Sequence, residues 1–126
     1  MSLKASMANG LLAHEGLHAL ACVDVESGAL LGIEVRDESA REALDLATQA
    51  ATQLCIVPRL DPLVEGEDER ARAALVVSES AVHFYALSRG RSTVVVVGVA
   101  GRAANVGLLL AAVRSIADSL VDEEAQ

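Results

Sequence analysis

The sequence predicts an α+β domain in which one five-stranded antiparallel sheet carries helices on both faces. Three observations lead there. The elements run helix, two strands, helix, three strands, helix, and the links within each strand group are hairpin-short, so neighbouring strands are antiparallel. Leu17–Val23 and Val94–Val99 are apolar on both faces, which suits the middle of a sheet covered from both sides. With the charged second strand and the third strand at the edges, the strand order becomes 2-1-5-4-3.

Each element has its own reason. Ser6 to His14 forms a short first helix offering Met7, Leu11 and Leu12, with Asn9-Gly10 as its weak point and Gly16 as its stop. Met1-Ser2-Leu3 is expected to stand outside it. Leu17 to Val25 is the first strand, Glu26-Ser27-Gly28 a turn in which Gly28 supplies positive φ, and Ala29 to Arg36 the second strand. Ser39 with Glu42 reads as a capping box that opens a helix running to about Ile56, which Pro58 then stops. Residues 57–70 hold both prolines and the acidic run Glu65, Glu67, Asp68, Glu69, a long solvated connection. Strands follow at Arg72–Ser78, Ala81–Ser88 and Ser92–Ala100, with turns at Glu79-Ser80 and Arg89-Gly90-Arg91. A last helix, Ala104 to Val121, carries Val106, Leu109, Leu110, Val113, Ile116 and Leu120 at spacings of three and four. The 126 residues suit one unit: a leader and helix start at 1–10, a single domain at 11–121 and an acidic tail at 122–126.

Composition narrows the function. At 52% hydrophobic and 22% charged the chain can build a core, which excludes wholesale disorder. A net charge of -8 repels phosphate backbones, and Phe84 and Tyr85 are the only aromatics, so nucleic-acid binding is not expected. Cys22 and Cys55 sit in apolar runs without a secretory leader, which points to a reduced, cytoplasmic protein. Thr93 to Val113 is broken by Arg102 and Asn105 and reads as strand then helix, so no membrane insertion is expected. The second helix spreads Ala40, Ala43, Leu44, Ala47, Ala50, Ala51, Leu54 and Cys55 over about 180°, with Leu46 at the border, wider than the roughly 100° a one-sided helix needs. The third strand, with Ala73, Leu75 and Val77, is an unguarded edge open to self-pairing.

The strand-turn-strand from Leu20 to Leu31, the alanine-rich second helix and the helix entry Ala104-Asn105-Val106-Gly107-Leu108 together resemble the roadblock/dynein light chain superfamily, which includes bacterial MglB-like regulators of Ras-like GTPases. The resemblance spans about Leu11 to Leu120, and the chain departs from it in a short first helix and a long acidic loop. It implies a profilin-like/roadblock sandwich that dimerises through its third strands and second helices and docks a small Ras-like GTPase or related NTPase-linked assembly. It implies no catalytic constellation and no cofactor. The surface chosen on this reading is Arg41, Leu44, Asp45, Thr48, Gln49 and Thr52 of the second helix with Ala73, Leu75 and Val77 of the third-strand edge.

Two other readings stand beside it. His14-Glu15-Gly16-Leu17-His18 matches H-E-x-x-H, in which two histidines a helical turn apart bind zinc and the glutamate activates water. A small zinc hydrolase would use His14 and His18 as ligands and Glu15 as base, although Gly16 and the following strand disfavour the necessary helix. A profilin-like ligand sensor would need an apolar cavity between sheet and helices. Gly98-Val99-Ala100-Gly101 lacks both phosphate-loop patterns and reads as a tight connection. His83 and Tyr85 share a strand face without a fixed nucleophile or carboxylate, so they read as packed residues with polar tips.

Overall fold

The structure, a computed structural model, describes residues 3–60, 73–88 and 93–124, the side chains of 52–60 and 121–124 excepted. The elements are α1 (Leu3–Ala13), β1 (Leu17–Asp24), β2 (Ala29–Val35), α2 (Arg41–Leu60), β3 (Ala73–Val77), β4 (Val82–Leu87), β5 (Val94–Ala100) and α3 (Val106–Glu124). The strands form one antiparallel sheet in the order β2-β1-β5-β4-β3, as the sequence predicts. α1 and α3 cover one face and α2 the other.

The two faces differ in grain because side chains alternate along each strand. Under α1 and α3 lie the larger residues, among them Met7, Leu17, Leu20, Cys22, Phe84, Leu109 and Val113. Under α2 the floor is mostly small or branched, with Ala19, Ala21, Val95, Val97 and Val99 against Leu44, Ala47 and Ala51. The β1–β2 hairpin is closed by Asp24, whose Oδ1 accepts the Glu26 N–H at 3.0 Å, and by Gly28 at φ +79°, the left-handed region a side chain disfavours.

Several boundaries differ from the sequence reading. α1 starts at Leu3, and Leu3 packs on the core beside Met7. Asn9-Gly10 does not interrupt it: a Cβ on Gly10 would lie 2.5 Å from Ile116 Cδ1, so the bare glycine lets α1 seat against α3. That contact outweighs the roughly 1 kcal/mol propensity cost of a helical glycine. Leu12, offered as a contact, is 80% exposed. Gly16 follows the helix without positive φ, and its place is instead explained by Leu109, whose Cδ1 would sit 3.0 Å from a Cβ there.

The start of α2 is also different. Asp37, not Ser39, is the cap: its Oδ1 accepts the Ser39 N–H at 3.0 Å and the Ser39 hydroxyl at 2.8 Å, and a 3-10 turn at Glu38–Ala40 leads into the helix. The aspartate two residues upstream takes both the amide and the hydroxyl of Ser39, so the serine donates to it rather than capping the helix. These bonds hold the Asp37 carboxyl below its ordinary range. α2 then runs past Ile56 to Leu60, with Pro58 in its last turn, where only one helical hydrogen bond is lost. Residues 122–124, expected as a tail, extend α3. The acidic run 65–69 and the turn 89–91 lie outside the described residues.

Candidate functional site

β3 is the open edge of the sheet, with no strand beyond it among the described residues. Which of its backbone groups look outward follows from one bond. The Ser78 N–H donates across the β3–β4 turn to the Ala81 carbonyl at 2.9 Å, so by alternation the amides of Val76 and Ala74 also point to β4. The amides of Val77, Leu75 and Ala73 therefore face out of the sheet. The side chains add apolar area, since Leu75 is 37% and Val77 54% exposed, on the α3 side with Phe84 and Val82, while Val76 projects to the α2 side opposite His83. An apolar edge strand with free outward amides is a template for a further strand.

α2 contributes its flanks. Ala40, Leu44, Ala47 and Ala51 are buried against the sheet. At about 100° per residue, that fixes Arg41, Asp45 and Thr48 on one flank and Ala43, Leu46 and Ala50 on the other. The hand of the sheet says which is which. Val25 packs with the α2-side core and its N–H donates to Thr93 at the head of β5, so on β1 the residues facing α2 turn their amides to β5. For L-residues this puts β2 on the left and β3 on the right, seen from α2 with β1 pointing up. α2 starts below the end of β2 and leads up towards the start of β3. A right-handed helix in that pose turns Ala43, Leu46 and Ala50 towards β3 and Arg41, Asp45 and Thr48 towards β2.

The residues assigned from the sequence thus separate. Leu44 is fully buried and belongs to this chain's own core, because it lies on the sheetward line of α2; it is no surface residue. Arg41 is exposed, paired with Glu38 at 3.2 Å, and this carboxylate raises its pKa above the ordinary value. Asp45 and Gln49 are exposed, Thr48 is half-buried with its hydroxyl donating to the Asp45 carbonyl at 2.9 Å, and the Thr52 side chain lies outside the described residues. Ala73, Leu75 and Val77 form one row along the outer edge. What the sequence reading undervalued is Leu46, 59% exposed on the β3 side of α2. The signal was its place at the border of the apolar arc.

The zinc motif is divided between elements. His14 follows the end of α1, Glu15 and Gly16 form the turn, and His18 stands on β1, so the shared helical face the motif needs is missing. The segment serves as a joint: the Arg36 guanidinium donates to the Glu15 and His14 carbonyls at 3.2 and 3.3 Å, closing the end of α1. No group of three metal-binding side chains gathers among the described residues. The start of α3 is occupied from within, Asn105 Oδ1 accepting the Leu108 N–H at 3.1 Å, and Arg102 reaches back to the Glu79 carbonyl at 3.3 Å. No helix among the described residues is long and apolar enough to cross a membrane.

Comparison with solved structures decides the fold. The chain superimposes on a Roadblock/LC7 domain from Streptomyces avermitilis with a TM-score of 0.71 over 100% of both chains, at 17% identity. The chain has the roadblock fold. Myxococcus xanthus MglB follows at a TM-score of 0.68 and 13% identity, covering 98% of this chain and 87% of that one. MglC from the same organism gives 0.68 and 16%, covering 98% and 99%. No protein-family model matches the chain, and no curated protein sequence does so significantly. The roadblock fold is thus carried by a sequence whose likeness shows in its three-dimensional arrangement.

Proposed function

We propose that this roadblock domain is a non-catalytic regulatory module of the bacterial cytoplasm that works as a homodimer and docks a small Ras-like GTPase or a related NTPase-linked assembly. Two copies join edge to edge through Ala73, Leu75 and Val77 of β3, with the Ala43, Leu46 and Ala50 flank of α2 closing over the seam. The polar ridge of α2, with Arg41, Asp45, Thr48, Gln49 and Thr52, is then left to the partner. The observation that carries this is the coincidence of an apolar edge strand, outward amides and an apolar helix flank on one side of the molecule.

The fold supports the reading, since the similar structures include gliding protein MglB from Thermus thermophilus and an MglB with a tetrameric arrangement. Influence on a docked GTPase comes through its switch loops: a surface that binds one nucleotide state better shifts the population towards it by its differential affinity alone. The test is capture of NTPases from native cytosol followed by titration of the purified partner in its diphosphate and triphosphate states. State-dependent binding weakened by Asp45→Arg supports the proposal. A captured GTPase that binds neither state once purified overturns it.

A further inference from the structure

His83 stands on the α2 face of β4, the same face as Tyr85, between Val76 on β3 and Val99 on β5. α2 lies over β1 and β5, so the strip of sheet from β4 to β3 is the floor beside its Ala43, Leu46 and Ala50 flank. His83 is half-buried there. Among the described residues the groups facing it are few. Tyr85 is the titratable neighbour on its own strand; β3 presents Ala74 and Val76, β5 presents Val97 and Val99, and the described part of α2 presents Ala43, Leu46 and Ala50. Glu79 and Arg102 stand at the β3–β4 turn, where Arg102 donates to the Glu79 carbonyl. No hydrogen bond or ion pair engages the imidazole among the described residues.

We infer that His83 makes self-association proton-linked: two copies of this chain join when both His83 rings are neutral and separate when they are protonated. The inference rests on the β3-edge dimer proposed above. A second copy paired on β3 brings its own Leu46 flank towards the same floor and removes water from His83, one strand in from the seam. With no carboxylate bonded to it among the described residues, a charged imidazole buried there carries an uncompensated desolvation cost. Burial already pushes its pKa down within one copy, with no opposing cause. The sign follows: the associated state holds fewer protons, so association strengthens as pH rises and weakens as pH falls below the ordinary histidine value of 6.5.

The experiment is sedimentation equilibrium of the full chain from pH 8 to pH 5. The dissociation constant is expected to rise on acidification by up to about 100-fold per pH unit, the limit for one proton on each of two rings. His83→Gln, neutral at every pH, is expected to stay associated and flat, while His18→Gln keeps the wild-type profile. An independent check is the His83 ring titration by NMR, with a midpoint that falls as protein concentration rises. A wild-type dimer with no pH dependence, or a ring midpoint independent of concentration, overturns the His83 inference and leaves the dimer standing. A chain that is monomeric at every pH overturns the dimer itself.

Discussion

Leu44 and Leu46 are two residues apart on α2 and about 200° apart around it, so truncating each to alanine has opposite consequences. Leu44 is fully buried between α2 and the sheet. Leu44→Ala leaves a cavity among Ala19, Ala21 and Val97 and is expected to cost about 2–5 kcal/mol of folding stability. Leu46 keeps 59% of its surface in water, so the folded monomer gains little from it, and alanine is the better helix former. On the proposed dimer its value lies at the seam. Burying a whole leucine side chain is worth about 1.5–3 kcal/mol, so the exposed fraction is worth about 1–2 kcal/mol per copy and about 2–4 kcal/mol across the two-fold axis. Leu46→Ala should then weaken dimerisation by roughly 30- to 1,000-fold, with a melting temperature unchanged in protein dilute enough to be monomeric. Sedimentation equilibrium reads the first quantity and thermal melting of dilute samples the second. A Leu46→Ala protein with the wild-type dissociation constant refutes the assignment of this flank to the seam, and one that melts as early as Leu44→Ala refutes the burial argument.

Three further outcomes are expected. Val77→Asp places a carboxylate on the outer edge of β3, where strand pairing would strip its water; light scattering should show monomers, with the fold retained because Val77 is largely exposed. Gly98→Val puts a branched side chain where a Cβ already lies 3.0 Å from Val113 Cγ2 and 3.4 Å from Leu20 Cδ2, both buried, and should cost roughly 1–3 kcal/mol in denaturant unfolding. Asp37→Ala removes the cap of α2. Because the folded state holds this carboxyl below its ordinary value of 3.8, its contribution is complete above that pH and is lost as pH falls through the lower folded value. The variant should melt earlier than wild type near neutrality, and the gap should close in strong acid.

The sheet was legible because its signals are redundant. Leu17–Val23 and Val94–Val99 are apolar on both faces, and only a central position satisfies such strands. Gly28 sits where a hairpin needs positive φ, and the structure places it at +79°. What depended on tertiary contact was not legible. Gly10 and Gly16 read as punctuation, yet each is a place where Ile116 or Leu109 comes close, a fact that lies in α3 rather than in the local sequence. The Ser39 cap failed because Asp37 accepts both the amide and the hydroxyl of Ser39. On the candidate surface, the apolar width of α2 was readable, but its division was not: Leu44 turns to the core and Leu46 to the β3 side, and only the hand of the sheet separates them. H-E-x-x-H shows the converse, a pattern whose spacing is right and whose helix ends at its first histidine.

Hydrogen exchange at single amides of β3, followed by NMR over a range of protein concentrations, tests the edge-to-edge pairing most directly. The amides of Val76 and Ser78 point to β4 and serve as the internal reference. Leu75 and Val77 should exchange freely in dilute protein and become protected as concentration rises, because only a second copy of the strand can accept their hydrogen bonds. If their exchange stays fast and independent of concentration while the protein sediments as a dimer, the copies meet elsewhere and the proposed platform is not the one this chain builds.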